Sequence, residues 1–527
     1  MSDPVNDPSF FNGCARPGPF HKLLFGLCFF HAFVQERLKF GPLGWNVPYQ
    51  FSAPDFVISA RQLLMFLNEF PDMMPLKALR YLTGECNYGG RVTDAHDRRT
   101  LMSILAVFYT DATLDDDYKF SPSGLYYAPP DGSHEEQMMF IRNLPITAAP
   151  EVFGLHANAD ITKDQQETDL MLESILSMQG ASGSTGGVSR EALLTELAAD
   201  IDRRVQPVFD IEAARYKYPV DYYESMNTVL TQELVRFNRL LEIVHASLKN
   251  LQKALKGLVL MSGDLEAVGN AMFDGKVCVP ALPRLPASLL LRTCCRALRA
   301  RAPAHRPQSR PTDPPRPPHP PPLPPTPPLH PTPQVPALWM GKSYPSQKPL
   351  GGYVNELIER CDMLQSWLDV GPPPSFWISG FYFTHAFLTG VKQNYARKYK
   401  IPIDTVSFDY TCLPEGTYDK PAVDGAYVHG MSVEGARWDY VTMQLAESHP
   451  KVLYSAAPTL LLSPCIAGKE REFPAFEVPL YRTPERRGVL ATTGHSTNYV
   501  MPVKVPSNKP SDHWVRRGVA FLLSLAQ

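Results

Sequence analysis

The sequence is short of almost everything that marks a self-contained catalyst. None of its nine cysteines forms a C-x-x-C pair, and their odd number and wide scatter fit reduced thiols better than a disulfide framework. There is no H-E-x-x-H, and His429, His449, His495 and His513 are well separated, so no metal-ligand spacing emerges. No N-x-[ST] sequon occurs, in keeping with a protein that is not secreted. A net charge of −2 over 527 residues gives no general attraction to nucleic acid or anionic membrane. The most apolar early run, Lys22–Val34, is shorter than the roughly 20 residues a bilayer requires. It also lacks a signal-peptide cleavage site, so a buried amphipathic helix in a soluble intracellular protein is expected.

Proline, by contrast, is abundant: 53 in all, 19 of them between Cys278 and Gln334. That window carries eight arginines, no lysine or glutamate, and Asp313 as its one acid. Its apolar residues keep no period, so it cannot bury enough surface to offset chain entropy, and a disordered, polyproline-like insertion is expected over 278–334. Within it, Pro314–Pro333 holds several P-x-x-P registers beside Arg316, the form that aromatic grooves of SH3 or WW type recognise.

Outside that window, periodicity predicts helices at Phe20–Phe40, Asp55–Glu69, Arg98–Val107 and Ala157–Gln179, the last stopped by the flexible run Gly180–Gly187. Ser189 can cap a helix starting at Arg190. Met226, Leu230, Leu234, Phe237, Leu241, Val244, Leu248, Leu251, Leu255 and Leu258 form one apolar stripe on a helix of about ten turns. A further helix is expected over Phe376–Lys400. Beyond Ile401 six short apolar runs appear: Thr405–Tyr410, Ala426–Ser432, Val452–Leu462, Glu477–Tyr481, Tyr499–Val505 and Val515–Leu525. Helices first and strands last predict an α+β fold whose strands close into a small antiparallel β-barrel.

Several tempting chemistries fail on their own terms. Gly341-Lys342-Ser343 resembles the end of a phosphate loop, but Pro336 stands where the first glycine should be and has no N–H to offer a phosphate. Cys86, beside Glu85, has His96 ten residues on, yet nothing in the spacing brings the imidazole to the thiol. A structural loop is expected instead, with Arg91, Asp94, Asp97, Arg98 and Arg99 making ion pairs. His495-Ser496 lacks a G-x-S-x-G elbow and sits among turn formers. Cys294-Cys295 falls in the proline-rich window. No catalytic, cofactor-binding or metal-binding residue is assigned, and no cofactor.

Two glycine-punctuated polar loops stand out: ALRYLTGECNYGGRVTD at Ala78–Asp94 and TTGHSTNY at Thr492–Tyr499. Together with KFGPLGWNVPYQF (39–51), ESMNTVLTQELVRFNRLLEIV (224–244), PALWMGKSYPSQKPLGGYVNEL (336–357), FWISGFYFTHAFLTGVKQNYARKYKIPID (376–404), AESHPKVLY (446–454) and ERRGVLATTGHSTNYV (485–500), they resemble the last part of dynein heavy chains, especially axonemal inner-arm ones. The resemblance covers almost all of 16–527 except the proline-rich window. It implies an N-terminal tail over 1–15 and the helical lid of a sixth AAA+ module over 16–165. It further implies a helical C-terminal domain over 166–277 and 335–400, then the barrel over 401–527. Val277 would ordinarily lead almost directly into Pro336, so the insertion splits a connection.

The implied role is a structural and regulatory part of a minus-end-directed microtubule motor, placed in cytoplasm, cytoskeleton and the axoneme of cilia or flagella. Its partners would be other dynein segments, light chains and intermediate chains, with microtubules reached only through a stalk elsewhere. The ATP-hydrolysing modules of such motors are not in these residues, so the protein is expected to be no enzyme by itself. The rival expectation is an interaction protein that recruits SH3- or WW-like partners through the proline-rich stretch.

Overall fold

The computed structural model describes residues 5–178, 190–277, 335–414, 418, 420–489 and 494–525. The expected insertion, the Gly180–Gly187 joint and the Ser189 cap lie outside these. The buried apolar residues fall into two large clusters, one drawn from Val5–Ala159 and one from Leu194–Leu523.

The first cluster is helical. Pro17–Glu36 runs into a 3-10 turn, Arg37–Leu43, and helices Ala53–Glu69 and Ala95–Phe108 pack beside it. Ser52 and Asp55 form a reciprocal capping box at the start of Ala53–Glu69, satisfying N–H groups that have no partner within the helix. The turn-rich GECNYGG is drawn further into the helices than its composition suggests. Tyr81–Asn87 is a π-helical turn continuing Leu76–Arg80, followed by a 3-10 turn at Gly89–Arg91.

The second cluster is built on the helix Ser225–Leu255, whose apolar stripe is buried from Met226 to Leu251. Helices Arg190–Arg204, Leu350–Val370 and Thr384–Tyr399 surround it. Leu258, expected on the stripe, is 74% exposed. The helix stops first, because Gly257 takes φ +71° and hands its N–H to the Ala254 carbonyl.

The stretch Phe376–Lys400 is not one helix. Ser375–Trp377 (β1) pairs in parallel with Ala426–His429 (β3), and the helix starts only at Thr384. The Glu233 carboxylate accepts the N–H groups of Tyr382 and Phe383, and so caps the helix from a distant element. Val515–Leu525 likewise divides into the helix Ser511–Arg517 and the strand Ala520–Leu522 (β11), broken by Gly518 at φ +68°.

The α+β reading holds, but the strands among the described residues form open sheets and no closed barrel. One sheet has the order β1–β3–Leu460–Ile466 (β8)–Val406–Cys412 (β2). The other has Tyr499–Pro506 (β10)–Ala475–Tyr481 (β9)–β11–Ser432–Glu434 (β4)–Tyr454–Ala456 (β7). Arg437–Asp439 (β5) and Gln444–Ala446 (β6) make a separate hairpin. The β9–β11 pairing is parallel, as is β1–β3, so the set is mixed rather than antiparallel. Closure needs a last ladder between edge strands. The edges β2 and β10 are instead bridged by a side chain, the Tyr410 hydroxyl donating to the Pro502 carbonyl at 2.8 Å. Pro502 has no N–H of its own to extend a ladder there.

Candidate functional site

The two polar loops that stand out in the sequence meet in space. The Ala95 N–H donates to the Gly494 carbonyl at 3.0 Å, joining the loop after Arg91 to the loop before Tyr499. Beside this link the His96 ring lies 4.8 Å from that of His495 and 4.9 Å from that of Tyr499. The meeting place is a seam between the two cores, and it is lined with buried polar groups.

Asp94 starts it. Its Oδ1 accepts the N–H groups of His96 and Asp97 at 2.9 and 3.1 Å, the ordinary cap of a helix beginning at Ala95. The same oxygen accepts from Asn46 Nδ2 at 3.2 Å. That amide also donates to the Tyr481 hydroxyl of β9 at 3.0 Å, and its Oδ1 accepts from Arg486 at 3.5 Å. Arg486, in turn, pairs with Glu434 of β4 at 2.6 Å, both 6% exposed or less, and donates to the Gly518 carbonyl at 2.8 Å. One asparagine, directly or through Arg486, thus ties the first helical cluster to β9, to β4 and to the turn before β11.

The expected ion pairs form only in part. Arg91 pairs with Asp55 at 2.6 Å and Arg98 with Glu85 at 3.7 Å. Asp94 and Asp97 serve instead as acceptors for backbone and amide groups. Asp97 takes the N–H groups of Asn46 and Val47 at 2.9 and 3.0 Å. Burial, reinforced by the neighbouring Asp94, pushes its carboxyl up to about 7, against the pull of those donors. His96 moves the other way, to about 3, because burial and the cations Arg99 and Arg486 disfavour imidazolium. Arg99 lies over the Phe476 ring at 5.6 Å.

Arg37 is the second tie. Fully buried, it pairs with no carboxylate and donates to four carbonyls: Gly44 at 2.9 Å, Leu43 at 3.0 Å, Phe153, and Arg516 across the seam at 2.9 Å. Burial brings it down to about 9, against the pull of the Asp97 charge nearby. A third tie is Asn158, whose amide donates to the carbonyls of His449 and Val452 and accepts from the Lys451 N–H, each at 2.8 Å. This holds a turn in which Lys451 has φ +65°.

The residues considered for chemistry are placed as follows. Cys86 is exposed in the π-helical turn, and His96 faces the His495 and Tyr499 rings. The Ser496 hydroxyl donates to the Arg486 carbonyl at 2.6 Å, as a turn residue does. Ser343 shares a 2.7 Å hydrogen bond with the Tyr353 hydroxyl, and the Lys342 carbonyl accepts from Tyr382. His429 meets Ser375, and His513 meets Glu447 at 2.6 Å. Among the described residues no cluster of three or more His, Cys, Asp or Glu side chains could hold a metal ion. Asn46, Tyr481, Arg37 and Arg486 carry the seam and have no local sequence signal, since the bonds that cross it join residues 435 to 479 positions apart.

Residues 20–159 match the family model for the AAA lid domain of dynein heavy chains. Residues 165–283 and 332–523 match the model for the C-terminal domain of dynein heavy chains. Over its whole length the protein is 47% identical to dynein axonemal heavy chain 3 of Homo sapiens and 45% identical to dynein axonemal heavy chain 12 of Rattus norvegicus. Over 98% of its length it is 41% identical to dynein axonemal heavy chain 1 of Mus musculus. It spans only 11 to 15% of the length of these relatives. The seam therefore runs between a lid-like segment and a C-terminal segment, and the protein belongs to the dynein heavy chain family.

Proposed function

We propose that these residues form the C-terminal, mechanical part of an axonemal dynein heavy chain, within a minus-end-directed microtubule motor that drives cilia or flagella. In this reading 16–165 is the lid of the sixth AAA+ module, and 166–277 with 335–527 is the C-terminal domain. Other segments of the motor, with light and intermediate chains, are its partners, and ATP is hydrolysed elsewhere in the motor. The observation that carries the reading is the seam. A buried asparagine, two buried arginines and a direct backbone hydrogen bond join the two parts, so displacement of one is transmitted to the other.

The test is made in a motor that includes these residues. Asn46→Ala removes the amide ties to Asp94, Tyr481 and Arg486 but keeps the Asn46 N–H on Asp97. Microtubule gliding velocity at saturating ATP is expected to fall at least twofold; an unchanged velocity overturns the coupling role. The isolated 527-residue protein is expected to show no ATP turnover. Turnover abolished by Lys342→Ala would overturn the placing of hydrolysis elsewhere.

A further inference from the structure

At the seam three buried side-chain atoms have no hydrogen-bond partner in the protein: Arg99 Nε, Arg486 Nε and His96 Nε2. Arg486 is otherwise fully engaged, its two Nη groups donating to Asn46, Glu434 and the Gly518 carbonyl. An unpaired buried donor or acceptor is costly, so three in one place point to a ligand that satisfies them together. All three residues line one cavity of about 20 Å³, beside Asp97 from the first core and Tyr481 of β9 from the second. A water needs about 10–15 Å³ of such space, so the cavity has room for a single water molecule or one small ion.

We propose that this cavity is a binding site for one water molecule, which accepts from Arg99 Nε and Arg486 Nε and donates to His96 Nε2, a further tie between the two cores. The valences match. An arginine Nε can only donate, and the two arginines use both lone pairs of the water oxygen. A water hydrogen then remains for the imidazole nitrogen, giving the three bonds usual for a buried water. The arrangement also fixes the histidine: with both lone pairs taken, Nε2 must accept, so His96 carries its proton on Nδ1. A halide ion would instead accept from all three groups and require the proton on Nε2. The charges at the seam favour water, since Arg37, Arg99 and Arg486 are matched by Asp94, Asp97 and Glu434, with no positive surplus left to hold an anion. The site belongs to the fold and stands whether or not the seam carries motion in a motor.

Two measurements on the unsubstituted 527-residue protein test this. Crystals grown with bromide as the only halide, and measured at the bromine edge, are expected to show one peak in the cavity. It should lie within about 3.2 Å of all three atoms and give no anomalous signal. An anomalous peak would mean a halide and overturn the proposal, as would a cavity with no peak. Nitrogen-15 spectra of labelled histidine give a reading in solution. His96 is expected to show a protonated Nδ1 and a bare Nε2 at about pH 7, and a proton on Nε2 would overturn the assignment.

Discussion

His96, half-buried, and Asp97, buried, are adjacent in the sequence, line the same seam, and titrate in opposite senses. His96 stays neutral in the fold down to about 3, while the unfolded chain takes up its proton near 6.5. Its contribution to stability is therefore present above 6.5 and lost as pH falls toward 3. Asp97 keeps its proton up to about 7 against an ordinary 3.8, so its contribution is present below 3.8 and lost as pH rises toward 7. Between about pH 4 and 6.5 the slopes oppose one another, each amounting to about 1.4 kcal/mol per pH unit. His96→Phe keeps an aromatic ring against His495 and Tyr499 and removes one slope. Urea unfolding from pH 6.5 to 4.5 should show the variant gaining on the unsubstituted protein by about 1.4 kcal/mol per unit. A difference that does not change with pH would mean that His96 is not held neutral.

At the scale of elements, the clearest case is Glu233. It sits on the long helix with 0% of its side chain exposed, yet its work is done on another element. Its carboxylate receives two backbone N–H groups at the start of Thr384–Tyr399, with Arg236 at 3.3 Å. Burial raises its proton affinity, and those donors offset that rise only in part. Glu233→Ala strands both donors in a partly buried place, and a loss of about 2–4 kcal/mol is expected from two unsatisfied groups. Glu233→Gln keeps an acceptor and should recover part of it, so equal losses in chemical denaturation would count against the capping role. Leu241→Ala, on the buried stripe of the same helix, is expected to cost about 2–5 kcal/mol by opening a cavity.

Glu233 also explains what the sequence did and did not disclose at this scale. The stripe from Met226 onward is legible because its period is local and its contacts follow from it. Phe376–Lys400 reads as one helix for the same reason, and the reading fails at Tyr382. There a carboxylate 149 positions away and a parallel partner strand override local preference. The closed barrel fails likewise. Alternation identifies strands such as β2, β9 and β10, while the run Val452–Leu462 divides between β7 and the start of β8; whether the edges β2 and β10 join is decided by Pro502 and Tyr410, not by any run of residues.

The whole molecule poses the question of whether two hydrophobic cores act as one body. The loops Ala78–Asp94 and Thr492–Tyr499 are conspicuous in the sequence, but only folding shows that Ala95, just after the first, meets Gly494 of the second. Asn46 and Arg37 are inconspicuous for the complementary reason: a single polar residue reveals nothing of a partner 435 or 479 positions on. The two bodies come close at Gly518, where φ is +68° and an added Cβ would stand 2.5 Å from the Leu43 carbonyl oxygen. Backbone cannot yield as a side chain can, so Gly518→Ala combines left-handed strain with a wedge driven into the seam. A destabilisation of about 1–3 kcal/mol is expected, directed at the contact between the bodies rather than at either core. Hydrogen exchange separates the cases. Amides around Ala95 and Gly494 should exchange faster in the variant, while those of Leu101–Leu105 and Leu234–Leu241 keep their protection. Uniform loss of protection across both cores would mean that the molecule has one cooperative interior, and that the seam is no boundary at all.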